Sequence, residues 1–98
     1  MRYLTLSADY LEPSLVDAAE DFSTVESLGL THGLLDEIKA WNADYQKVVP
    51  ASATQRAAME AEISRLDQTG LILASKVADE LAPAKVAYYS EGLSRLLP

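Results

Sequence analysis

The sequence predicts an α+β fold: a two-layer sandwich in which a small sheet, made of an N-terminal strand or hairpin and a C-terminal strand, packs on an antiparallel helix pair. Three observations predict it. The chain opens and closes on segments with strand character, RYLTLSA and KVAYYSE. Between them run two apolar stripes of helical period. The stripes are separated only by a short link around Pro50, so the two helices must fold back on each other.

In RYLTLSA, Leu4, Leu6 and Ala8 alternate with Tyr3, Thr5 and Ser7, a period of two. DYLEP then turns the chain, because Pro13 cannot donate to a central ladder. SLVDA is a short second strand able to pair back as a hairpin. AEDF and STVES are expected as a loop with one helical turn, capped by Ser23 with Glu26 three residues on and stopped by Gly29. Thr31 caps the first long helix, expected from His32 to Val49, with Leu34, Ile38, Trp41, Tyr45 and Val48 as its stripe. Ser52 and Gln55 form a capping box that opens a second helix, expected from Ala53 to Leu81. Its stripe is Met59, Ile63, Leu66, Gly70, Leu73, Val77 and Leu81, and Pro83 closes it. Gly70 on that stripe implies close approach of a neighbouring backbone, the alternative being a kink. KVAYYSE is β-branched and aromatic, and GLSRLLP is expected as a trailing helical turn. The whole of 1–98 reads as one domain, with no repeat, no low-complexity tract and no linker.

Charge is the most asymmetric property of the chain. Its net charge is −7, and residues 1–44 hold nine acids against two bases, whereas residues 45–98 are balanced at six each. A nucleic-acid or anionic-membrane binder needs the opposite sign on some face, so both classes are disfavoured. With no cysteine there is no disulfide framework and no thiolate metal site, which fits a reducing cytoplasm. MRYLTLSADY lacks the apolar run of a signal peptide, and nothing approaches the roughly 20 apolar residues of a membrane span.

Catalytic patterns are missing. His32 is the single histidine and sits at a helix start beside Gly33, where an exposed, inert role is the simpler reading. There is no nucleophile elbow and no glycine-rich phosphate loop. Asp17, Glu20 and Asp21 have no EF-hand spacing and read as a solvated acidic loop rather than a Mg²⁺ or Ca²⁺ site. Neighbouring Asp36 and Glu37, like Asp79 and Glu80, point about 100° apart on a helix and do not converge. Glu62 with Arg65, Arg56 with Glu60 and Lys76 with Glu80 have the spacing of within-helix ion pairs on exposed faces. The chain is therefore read as no enzyme, with no cofactor and no metal. Candidate partner-binding residues are instead the acids and exposed aromatics: Asp9, Tyr10, Glu12, Asp17, Glu20, Asp21 and Tyr89, with Tyr3 and Tyr88 as further tyrosines of interest. Trp41 and Tyr45 fall on a stripe and read as core.

The segments LGLTHGLLDEIKAWNADYQ, TGLILASKVADELAP and KVAYYSEG resemble a loose group of small acidic bacterial proteins without an assigned activity. That group shares an opening strand, a helix carrying A-W-N-x-x-Y, a helix carrying G-x-x-L-A and E-L, and a closing strand. Trp41, Asn42, Tyr45, Gly70, Leu73, Ala74, Glu80 and Leu81 carry the match over most of the chain. Such domains are similar in size and charge to immunity proteins, which neutralise a toxin from the same locus. The resemblance implies a protein-binding role and transfers no functional residues. The leading expectation is an immunity or antitoxin-like protein whose acidic face docks on the basic active-site cleft of a toxin. The alternatives are a small acidic secretion-type chaperone and, third, a small carboxylate-based enzyme.

Overall fold

The computed structural model describes residues 2–17 and 28–97. In chain order its elements are β1 (Arg2–Ser7), β2 (Ser14–Asp17), α1 (His32–Tyr45), α2 (Ala53–Ala57), α3 (Glu60–Glu80), β3 (Ala84–Ser90) and β4 (Arg95–Leu97). The strands form one mixed sheet in the order β2-β1-β3-β4. The central pair β1/β3 is parallel, with Leu4 opposite Val86 and Leu6 opposite Tyr88. The outer pairs are antiparallel, with Leu6 opposite Leu15 on one side and Tyr89 opposite Leu96 on the other. The expected α+β sandwich is the observed one.

Alternation decides what each sheet face does. Leu4, Leu6, Ala8, Leu15 and Tyr88 turn to the helices and are buried, together with the α1 stripe from Leu34 to Val48 and the α3 stripe from Ile63 to Val77. The helices run antiparallel: Thr31 at the start of α1 bonds Glu80 at the end of α3, and Trp41 Nε1 donates to the Leu66 carbonyl at 2.9 Å. Thr31 is the cap of α1, its hydroxyl accepting the Leu34 N–H, and the Ser52–Gln55 capping box is closed in both directions.

Four expectations are corrected. The long second helix is broken at Ala58 and Met59 into α2 and α3. The apolar stripe begins only at Met59, and α2 buries no residue. Arg56 on α2 reaches the end of α1. There its guanidinium donates to the carbonyls of Val48 (3.3 Å), Val49 (2.8 Å) and Glu91 (2.7 Å), a favourable use of a cation at a helix C-terminus. Secondly, α1 ends at Tyr45 and continues to Pro50 as turns. Thirdly, the C-terminal segment is not helical: a turn over 91–94, with Ser94 at φ 56°, returns the chain as β4. Fourthly, α3 passes through Gly70 unbroken, and what approaches Gly70 is a side chain, the Tyr88 ring.

Of the three expected within-helix ion pairs, only Glu62–Arg65 forms. Lys76 reaches across to Glu37 on α1 at 2.9 Å, Glu80 takes the Thr31 cap, and Arg56 serves the α1 terminus and pairs with Glu91. The two hydrogen bonds from Thr31 hold the Glu80 carboxyl below its ordinary range. The loop and turn expected around Ser23 and Glu26 lie outside the described residues, whereas Gly29 does adopt the left-handed conformation (φ 77°) of a stop signal.

Candidate functional site

The acidic stretch that follows β1 is held from α1. Asn42 on that helix and Gln46, its C-terminal cap, stand one turn apart and both face the loop over residues 9–12. Asn42 Oδ1 accepts the Asp9 N–H at 3.0 Å, and Gln46 Oε1 accepts the Leu11 N–H at 3.0 Å. Gln46 Nε2 donates to the carbonyls of Asp9 and Asn42. Leu11 takes positive φ (68°), and the Asp9 carboxylate accepts the Tyr10 N–H at 2.7 Å. The outcome is a loop whose backbone is anchored while Asp9, Tyr10, Leu11 and Glu12 project into solvent.

Four of the expected partner-binding residues share one end of the sheet. Asp9, Tyr10 and Glu12 follow β1, and Tyr89 lies opposite Ser7, the last residue of β1. Tyr89 is half-buried on the face away from the helices, whereas Tyr88 is buried. Asp17 is a correction. It was expected in a solvated loop, yet it belongs to β2, pairs in register with Leu4, is only 5% exposed and lies 3.7 Å from Arg2 Nε. Period-two alternation explains this: if Leu15 points inward, so does Asp17. Glu20 and Asp21 lie outside the described residues. His32 is exposed at the first position of α1.

A second polar cluster lies in the core, and sequence reasoning missed it. Asp67 on α3 is 4% exposed and accepts three hydroxyl donors. Tyr45 donates to Oδ1 at 2.8 Å, Tyr88 to Oδ1 at 2.6 Å and Ser90 to Oδ2 at 2.7 Å. The two hydroxyls also order the following turn, since Tyr45 Oη accepts the Gly92 N–H and Ser90 Oγ the Leu93 N–H. Burial raises the Tyr88 hydroxyl far above the ordinary phenol range, and its hydrogen bond to the Asp67 carboxylate adds to this. Burial raises that of Tyr45 too, against the Gly92 N–H, which favours the ionised form. The cluster ties α1, α3 and β3 together and fixes the β3–β4 turn. It presents no free nucleophile to solvent. Asp67 and Asn42 could have been noticed as polar residues flanking the stripe positions Leu66 and Trp41.

Shallow grooves run where α2 and α3 meet the β3–β4 turn. One of about 530 Å³ is lined by Arg56, Ile63 and Leu93, and a neighbour of about 400 Å³ by Ile63, Leu71 and Leu97. Among the described residues no three His, Asp or Glu side chains gather as a metal site, and no helix is long and apolar enough to cross a membrane.

The geometry is that of an ordered acidic loop on an α+β sandwich whose buried polar side chains are hydrogen-bonded within the fold. Comparison with protein families adds an identity to it. Residues 2–91 match the Serratia CdiI immunity protein-like family, and the chain belongs to it. No curated protein and no solved structure matches the chain.

Proposed function

We propose that this protein is an immunity protein that neutralises a toxin by binding it and occluding a basic active-site cleft. Family membership over residues 2–91 is the observation that carries the reading. The charge distribution supports the mechanism: acids exceed bases nine to two in residues 1–44. Asp9 and Glu12 project from a loop whose backbone is already fixed, so little ordering entropy opposes docking. Glu20 and Asp21 add to that acid, while Asp17, turned inward beside Arg2, holds the strand end rather than meeting the partner. Tyr10 and Tyr89 supply contact area at the same end of the sheet. The protein works in the cytoplasm, without cofactor or metal, as an inhibitor and not a catalyst.

The test takes as its probe any toxin domain found encoded beside this chain. Adding the protein should abolish toxin activity at a one-to-one ratio, and the toxin's own substrate should compete with it for binding. An inhibited toxin that still bound its substrate with unchanged affinity would exclude occlusion. A toxin that neither bound this protein nor lost activity would end the reading altogether.

A further inference from the structure

The face of the sheet turned away from the helices has an unusual composition. Antiparallel sheets with one solvated face normally set polar residues on it. Here that face carries Tyr3 and Tyr89, with Val16, Ala87 and Leu96 beside the small hydroxyls of Thr5, Ser7 and Ser14, and its single charge among the described residues is Lys85. Tyr3 is 56% exposed, Val16 43% and Leu96 60%, and no described element packs over them. The register makes this one continuous surface: Val16 lies opposite Thr5 and Thr5 opposite Ala87, while Ser7 lies opposite Tyr89 and Tyr89 opposite Leu96. The acidic loop over residues 9–12 begins where the Ser7–Tyr89 row ends.

We propose that this open sheet face, with Tyr3 and Tyr89 as its anchors, is the seat of the toxin, and that the acidic loop is the rim of that seat rather than its centre. This rests on the immunity reading and adds where the toxin sits. The centre of a protein interface is depleted of charge and enriched in tyrosine, whereas charges belong at the rim. Acids elsewhere on this molecule cost desolvation when covered; among the described residues this face has none to desolvate. The charge pattern also selects the occupant. A second copy would bring one body of net charge −7 against another. A partner with an apolar patch flanked by basic residues matches both the tyrosine-bearing centre and the Asp9/Glu12 rim.

The experiment measures affinity for the same toxin domain as the test above by calorimetry, melting temperature for every variant, and self-association by sedimentation. Tyr3→Ala combined with Tyr89→Ala should weaken toxin binding by about 30-fold or more, as loss of a hot spot does. Leu96→Lys, at an exposed site whose substitution leaves the core untouched, should weaken it comparably. Ile72→Ser, on the exposed side of α3, should bind like wild type. Wild-type affinity in both sheet-face variants, with binding lost instead on Asp9→Asn and Glu12→Gln, would overturn the assignment and leave the immunity reading standing. Self-association removed by the sheet-face variants, with toxin binding intact, would give the face to a second copy and likewise overturn it. No binding by wild type would remove both proposals.

Discussion

At the residue scale the molecule turns on Asp67. A buried carboxylate is costly unless its lone pairs are taken up, and here Tyr45, Tyr88 and Ser90 take them. The arrangement has a pH signature. Burial holds both tyrosine hydroxyls protonated above the pH at which an unfolded tyrosine, with a pKa of about 10, ionises. Beyond that pH the unfolded chain binds fewer protons than the folded one, so stability must fall as pH rises. Below it the two states are equally protonated at these sites and the contribution is fully present. Guanidinium midpoints measured at pH 8 and through pH 10–11 should therefore drop on the alkaline side. Tyr88→Phe should lower the midpoint at pH 8, by leaving Asp67 one donor short, yet flatten the alkaline fall by about one proton. A fall in Tyr88→Phe as steep as in wild type would show that the buried hydroxyl plays no part in it.

At the scale of elements, Gly70 and Gly33 give opposite expectations from one substitution. Glycine inside a helix costs about 1 kcal/mol relative to alanine, so Gly→Ala stabilises wherever space allows. A Cβ at Gly33 meets nothing within 4 Å. At Gly70 it would run into the Tyr88 ring, which is pinned through its hydroxyl to Asp67 and cannot retreat. Gly33→Ala should gain about 0.4–1 kcal/mol. Gly70→Ala should lose stability, because overpacking of about 1–3 kcal/mol outweighs the propensity gain. Urea denaturation of both checks this, and a stabilised Gly70→Ala would mean that the ring yields. The elements themselves were largely legible from period. Both stripes, the Thr31 cap, the Ser52–Gln55 box and the alternation of β1 all stand in the structure. What period did not convey was tertiary in origin. The helix break at Met59 accompanies the bonds of Arg56 to the end of α1, and the 91–94 turn that leads into β4 is fastened by Tyr45 and Ser90. The candidate site was half legible: Asp9, Tyr10 and Glu12 project as expected. The inward aim of Asp17 was implicit in the strand that Leu15 defines, and the Asn42/Gln46 clamp needed the helix to be seen against the loop.

On the scale of the whole molecule, the two proposals divide binding into a long-range and a short-range part. Net charge of −7 sets a field that reaches a partner before contact, and it acts mainly on association. The sheet face acts only at contact, and removing its tyrosines should show mainly in dissociation. The rim charges can be removed without touching the fold, since Asp9 and Glu12 are exposed, the loop backbone is held by Asn42 and Gln46, and an Asn at position 9 keeps the oxygen that accepts the Tyr10 N–H. Asp9→Asn with Glu12→Gln should therefore change stability by no more than about 0.5 kcal/mol. It should slow association with the toxin and flatten the dependence of the on-rate on salt, because charge steering is screened beyond about 8–10 Å at ordinary ionic strength. Tyr3→Ala with Tyr89→Ala should do the reverse: a faster off-rate, with the wild-type salt slope retained. Surface-plasmon kinetics at two salt concentrations separates the two. On-rates and salt slopes identical to wild type in the charge variant would show that the acid takes no part in steering and serves only to keep the protein soluble.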